Sequence, residues 1–362
     1  MKRFTRIIGA VCMMGLLTFV STSCKKNQEN DETTINVVVS GLEEEGERAY
    51  ITEYCQFFWH ENDYIRVYNL ADEENAVEST TAVYTKIGNV SAQTARFRGP
   101  SVGPKKAEGY RYFFPVYMVK GDNEEVCTNL WNQNRQVFQV SDHQYYESYE
   151  TTYHHFSLVD GLAMPMTVAV DKLTDDATLK HLFGTASFRL SAAPGTTVVV
   201  DSIKLVDHYH NISGDFSLKL HKFRFEDYLD AWNQYFNEYQ CFTDEYYQNV
   251  ILPLYESWGY YDFNGFNSGY AITLNCIFEH EDGTINGVQL MQYPNMTAFN
   301  FMLRPLALSE GFNLTLYFAD GNVIELSDAD FVHHDEPLNY TWAVKPGKIK
   351  SYIMNYPINY DW

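Results

Sequence analysis

Apolar side chains recur at every second position through most of this chain, the period of a strand that buries one face. Ile35-Asn36-Val37-Val38-Val39-Ser40 opens the series, a β-branched run ended by Gly41. Its alternation places Ile35, Val37 and Val39 on one face and Asn36, Val38 and Ser40 on the other. Tyr64-Ile65-Arg66-Val67-Tyr68 alternates strictly after the turn-prone Glu61-Asn62-Asp63. Further runs occur at Ala82–Thr85, Thr94–Phe97, Tyr110–Tyr117, Gln136–Val140, Met166–Val170, Ala186–Leu190, Thr197–Leu205 and Asp215–Leu220. The last third continues with Ala271–Glu279, Gly287–Leu290, Ala298–Leu303, Asn313–Ala319, Val323–Leu326 and Lys348–Met354. Asp282-Gly283 and Asp320-Gly321 stand between alternating runs, a strong hairpin signal. Many short strands broken by turn residues predict an all-β fold built of sandwiches.

One stretch departs from that period. From Phe225 to Phe242 the large side chains fall at 225, 228, 229, 232, 235, 236, 239 and 242, the spacing of a helix face. A second helical segment is predicted from Asp244 to Trp258, with Thr243 as N-cap and Pro253 kinking it. The chain is thus expected to carry a helical, aromatic-rich insertion at about residues 222–268, between the runs ending at Leu220 and starting at Ala271. Amphipathic stripes of this kind usually pack on a core. The other reading is that Trp232, Tyr235, Tyr239, Tyr246, Tyr255 and Trp258 form an exposed, ligand-binding aromatic surface, with Tyr260 and Tyr261 beside them.

At 362 residues the chain exceeds what one hydrophobic core usually serves. Gly161 and Pro165 punctuate a boundary within residues 155–166, after the aperiodic Tyr145–His155. The expected division is an N-terminal β-sandwich over 35–160 and a C-terminal one, carrying the insertion, over 161–362.

Lys2, Arg3 and Arg6 precede an apolar run from Ile7 to Val20, followed by Ser21-Thr22-Ser23 and Cys24. This order predicts a signal peptide over residues 1–24, its apolar run being shorter than the ~20 residues that span a bilayer. Small residues leading into a cysteine resemble the lipobox of bacterial lipoproteins, which implies cleavage before Cys24 and acylation of its thiol. Acyl chains contribute roughly 0.8 kcal/mol per buried CH₂, so such a cysteine holds the chain to outer-membrane lipid. Residues 25–34 lack any apolar side chain and read as a flexible tether. Removing residues 1–24 takes three of the 26 basic residues and none of the 47 acidic ones, deepening the net charge from −21 to −24. That balance repels phosphate backbones and argues against nucleic acid as a partner.

No sequence motif carries chemistry. There is no Gly-x-Ser-x-Gly elbow, Walker loop, His-Glu-x-x-His or dinucleotide fingerprint, so no catalytic residue and no cofactor is predicted. His208 and His210 would share a face if their segment were extended, but a metal site needs three or four converging ligands. His154-His155 and His333-His334-Asp335-Glu336 are adjacent pairs that point to opposite faces of a strand. Cys55, Cys127, Cys241 and Cys276 form no Cys-x-x-Cys pair. Three disulfide pairings are open to them, Cys55–Cys127 with Cys241–Cys276 keeping each bridge within one domain, and four buried thiols are the alternative.

Arg48-Ala49, Trp59 and Asp63-Tyr64-Ile65-Arg66-Val67-Tyr68 together resemble the "RA … W-x-x-x-D-x-I-x-V-Y" opening of fimbrillin-like proteins, the type V pilin-related lipoproteins of Bacteroidetes. Ala95-Arg96-Phe97-Arg98-Gly99 resembles that family's "F-x-G" strand, and Tyr112-Phe113-Phe114-Pro115 its "Y-x-A-Y-P". Leu179-Lys180-His181-Leu182 running into Ala186-Ser187-Phe188-Arg189-Leu190 is similar to its "F-x-H-x-x-(S/A)-x-L-x-F" strand. Ile212-Ser213-Gly214-Asp215-Phe216 resembles "L-S-G-x-F". Met302-Leu303-Arg304-Pro305, Asp320-Gly321 and Val344-Lys345-Pro346-Gly347-Lys348 resemble the close.

The resemblance implies two transthyretin-like or immunoglobulin-like sandwiches and a role in fimbriae and cell adhesion. It also implies assembly with other fimbrial subunits by donor-strand exchange, in which a protease cuts after an arginine and frees the first strand for replacement by a neighbour's. By position Ile35–Ser40 is that strand and Arg48 the cut, the alternative for Arg48 being a solvated loop residue. Only Asn355–Trp362 follows the last run and includes Pro357, which suits an accessory, tip or anchor-like subunit better than a shaft. The expectation is a lipid-anchored surface subunit that is not an enzyme; the alternative is a surface lipoprotein capturing a host, glycan or peptide ligand.

Overall fold

The computed structural model describes residues 32–39, 43–44, 59, 63–88, 94–114, 135–146, 165–173, 175–219, 269–279, 285–304, 307–308, 310–332, 344 and 347–359. Strands dominate these residues, and no α-helix occurs among them. The expected helical insertion lies outside them.

In chain order the strands begin with β1 (Glu32–Val39), β2 (Glu43–Glu44), β3 (Tyr64–Leu70), β4 (Thr80–Ile87), β5 (Thr94–Pro100) and β6 (Gly109–Phe114). Next come β7 (Arg135–Val140), β8 (His143–Tyr145), β9 (Met166–Val170), β10 (Ala177–His181) and β11 (Gly184–Leu190). Then follow β12 (Val199–Asp207), β13 (Gly214–Lys219), β14 (Ala271–Asn275), β15 (Phe278–Glu279), β16 (Ile285–Asn286) and β17 (Val288–Gln289). The series ends with β18 (Thr297–Leu303), β19 (Phe312–Phe318), β20 (Val323–Ser327), β21 (Phe331–Val332) and β22 (Lys348–Met354).

Seven strands close into a barrel in the order β1-β10-β9-β6-β3-β4-β5. Inward residues alternate along each strand: Ile35, Val37 and Val39 of β1, Ile65 and Val67 of β3, Phe97 of β5, Tyr112 of β6 and Leu179 of β10 share one buried cluster. Trp59 fills its centre, with edge-on contacts to Phe97 at 4.8 Å and Phe114 at 5.2 Å between ring centroids. Two open sheets follow, β18-β11-β22-β2 with β21 also on β22, and β20-β19-β12-β14-β8 with β17 also on β12. Phe188, Leu190, Phe299 and Tyr352 of the first meet Ile203, Leu205, Leu314 and Leu316 of the second in one larger cluster. The sequence-predicted core residues Trp59, Ile65 and Val67 therefore lie in one cluster, and Phe188, Leu190, Leu314 and Leu316 in the other.

Pairing does not respect the boundary expected at 155–166. β9 and β10, beyond it, complete the barrel against β6 and β1. β7 and β8, before it, pair with β13 and β14. Core membership changes between Leu179, inside the barrel, and Leu182, in the larger cluster. The two cores also touch, because Tyr68, Leu70 and Phe113 point out of the barrel and join the larger one.

Two local devices hold particular strands in place. A Cβ built on Gly99 would stand 2.5 Å from the ring of Tyr84, which faces it across β4 and β5. Gly99→Ala is therefore expected to displace Tyr84 from the barrel core and cost about 1–3 kcal/mol, read as a lowered urea midpoint. Gln144 of β8 staples the open sheets together. Its Nε2 donates to Met302 O and its Oε1 accepts from Met302 N, both at 3.0 Å, so a side-chain amide replaces the missing strand on the β18 edge.

Candidate functional site

β1 is held on both sides. It runs antiparallel to β5 from Glu32 opposite Pro100 to Val38 opposite Thr94, and parallel to β10 with Val37 opposite Ala177 and Val39 opposite Leu179. Ile35, Val37 and Val39 are buried while Asn36 is exposed and Val38 half-buried, the alternation that the sequence predicts. Outside the barrel, Asn36 Nδ2 donates to Asp176 Oδ1 at 3.1 Å, and Arg98 Nε lies 3.8 Å from a Glu32 carboxylate oxygen at the exposed strand start. Exposed pairs of this kind contribute little. What fixes β1 is its two ladders and three buried side chains.

The same segment reaches the second core. β2, four residues after β1, lies parallel to the start of β22, Glu43 opposite Lys348 and Glu44 opposite Ile349. β21 covers the far end of that edge, Phe331 opposite Met354 and Val332 opposite Ile353. β1 thus closes the barrel, and β2 shields a sheet edge in the other core. Unpaired ladders are what an incoming strand recognises, so this segment masks two strand-accepting positions.

The other predicted site residues, Cys24, Arg48, Trp232, Tyr235, Tyr239, Tyr246, Tyr255 and Trp258, lie outside the described residues, as do His154-His155 and the His333–Glu336 cluster. Cys276 is a buried free thiol, its pKa pushed up by burial and further by the Asp201 charge. Cys55, Cys127 and Cys241 lie outside the described residues. Among the described residues no helix is long and apolar enough to cross a membrane, and no group of His, Cys, Asp or Glu could hold a metal ion.

His208 and His210 do not lie on an extended segment. β12 ends at Asp207 and the chain bends through 208–210 because the Asp207 carboxylate gathers the backbone there. Its Oδ1 accepts from Tyr209 N at 2.8 Å and His210 N at 2.7 Å, and its Oδ2 from Leu308 N at 2.6 Å. His210 Nδ1 lies 3.4 Å from Oδ1, and the Asp207 side chain is fully buried. Burial pushes the carboxyl pKa up, but the hydrogen bond and charge of His210, with the N–H donors of Leu308 and His210, more than offset it and hold it below the ordinary aspartate range. Leu308 is buried with a φ of 68°, a left-handed conformation that a non-glycine residue keeps only under restraint. The signal available in the sequence was an aspartate at a strand end followed two and three residues on by the amides it captures.

No protein-family profile matches the sequence, and no curated protein matches it. Solved structures do. A candidate cell adhesion protein of Bacteroides ovatus is 10% identical with a TM-score of 0.41, over 89% of this chain and 91% of that one. A second, from Parabacteroides distasonis, is 8% identical with a TM-score of 0.39, over 91% and 92%. The tip fimbrial protein Mfa3 of Porphyromonas gingivalis, truncated at its C-terminus, is 7% identical with a TM-score of 0.36, over 90% and 97%.

Proposed function

We propose that this protein is a fimbrillin-type surface subunit, built of two transthyretin-like units and held to the outer membrane by acylated Cys24. In this reading it is a structural and adhesive part of fimbriae, of the accessory, tip or anchor kind, and not an enzyme. The observation that carries the proposal is the seat of β1. An N-terminal strand completes the barrel through two ladders, presents three apolar side chains inward, and is joined through β2 to a polar stretch ending at Arg48. Burying those side chains stabilises by roughly 1.5–3 kcal/mol each, so after a cut the strand leaves only when an equivalent one takes its place. The sequence supplies the rest of the support, through the lipobox before Cys24 and the ordered motifs.

Strand exchange is tested directly with trypsin and a labelled synthetic peptide of residues 32–40. After cleavage at Arg48, confirmed by mass spectrometry, the peptide is expected to enter the protein and survive size-exclusion chromatography. Uncut protein should take up none. Resistance at Arg48, or cleaved protein that never exchanges, would remove the strand-acceptor reading. The anchor is tested separately: Cys24→Ala is expected to abolish incorporation of a fatty-acid analogue and shift the protein out of the membrane fraction. Unchanged label in that variant would refute lipidation at Cys24.

A further inference from the structure

The end of the sheet formed by β20, β19, β12, β14 and β8 carries groups that strand exchange does not use. Four strand ends lie side by side there. Asp207 N donates to Tyr270 O, Asp207 is opposite Phe312 in the ladder, and Asn313 is opposite Ser327, the residue before Asp328. Neighbouring strands stand about 4.8 Å apart, so this row from Tyr270 to Asp328 is about 14 Å long. Two tyrosines stand on it in the open, Tyr209 with 63% and Tyr270 with 51% of its surface exposed. The row also carries hydrogen-bonding groups. A Cβ on Gly311 would lie 2.9 Å from His208 Nδ1 and 3.6 Å from Asp328 Oδ2, so an exposed imidazole and a half-buried carboxylate close over the same backbone position.

We propose that this pole is a binding site for a neutral glycan, with Tyr209 and Tyr270 as stacking surfaces and His208 and Asp328 as hydrogen-bonding partners for sugar hydroxyls. A sugar ring offers an apolar C–H face beside a rim of hydroxyls, and an exposed tyrosine ring beside a donor and an acceptor complements both. A stacking residue is useful only if it is held still. Asp207 fixes the 208–210 turn with two charge-assisted hydrogen bonds and ties it to the strained Leu308 with a third, so the platform is organised before a ligand arrives. Acidic ligands are disfavoured by Asp328, by the exposed Glu310 and by the net charge of −21. Strand addition is disfavoured as well, because the strands meet the surface end-on and offer no ladder.

The inference stands apart from strand exchange and is tested without cleavage. The full chain is titrated calorimetrically with mannohexaose, xylohexaose and cellohexaose, and with pentalysine as a basic competitor. At least one hexaose is expected to bind. Each of Tyr209→Ala and Tyr270→Ala should weaken it by roughly three- to tenfold, and the double variant by more, with the thermal midpoint unchanged since both side chains are exposed. His208→Ala should also weaken binding. Failure of all three hexaoses to bind, undiminished binding by the double variant, or binding of pentalysine alone would each overturn the proposal.

Discussion

Val37→Asp is expected to unfold the barrel, whereas Val38→Asp, one residue on, should cost only about 1 kcal/mol. Val37 is fully buried at the middle of β1, with Ala95 opposite on β5 and Ala177 opposite on β10. An ionised carboxylate there has neither water nor a counter-ion among the described core residues, whose cluster is apolar. Burying a charge so costs several kcal/mol, a large part of the ~5–15 kcal/mol that holds a domain together. Val38 points outward between Thr94 and Thr178 and is half-buried, so a carboxylate there keeps its hydration. Urea unfolding followed by near-UV dichroism compares the two variants. Equal stabilities would mean that β1 does not occupy the barrel wall, and the strand-acceptor reading would fail with it.

That contrast rests on a pattern visible in the sequence. Strict alternation within Ile35–Val39 and Tyr64–Tyr68 gave both the strands and their buried faces, because side chains on a pleated strand must take opposite sides, although β1 begins earlier, at Glu32, within the stretch expected to be a tether. The Asp320-Gly321 turn likewise joins β19 to β20, with Gly321 at a φ of 85°. Partner choice was hidden. The parallel pairs β1 with β10 and β11 with β22 join residues far apart in the chain, and nothing in either run's local period names its partner. For the same reason nothing local in the sequence shows that β9 and β10, which follow Gly161 and Pro165, pair with strands of the first core.

Chemistry was legible to a lesser extent than fold. The spacing of His208 and His210 puts them on one face only if their segment is extended, whereas Asp207 bends the chain and separates their roles. His210 faces the buried carboxylate and His208 turns to the surface over Gly311. Tyr209 and Tyr270 were indistinguishable from other tyrosines in a chain that has 28 of them. Only the ladder that places Tyr270 beside Asp207 brings them to one pole.

Asp207→Ala is the second large expected loss, about 2–4 kcal/mol at neutral pH. The substitution removes the acceptor of three backbone N–H groups, and hydrogen bonds to a charged group contribute ~1.5–3 kcal/mol each, with water recovering part of the loss at the turn. Asp207→Asn keeps the shape and one acceptor but loses the charge facing His210, so it should fall between the two. The pH dependence separates charge from shape. The folded-state pKa of Asp207 is lowered, so its stabilisation is fully present above the ordinary aspartate value of ~3.9 and is lost as pH falls through the depressed folded value. The gap in unfolding free energy between the native protein and Asp207→Asn should therefore be widest near neutrality and shrink only in that acidic window. A gap that stays constant down to the lowest pH at which both proteins fold would show that the Asp207 charge contributes nothing to the turn.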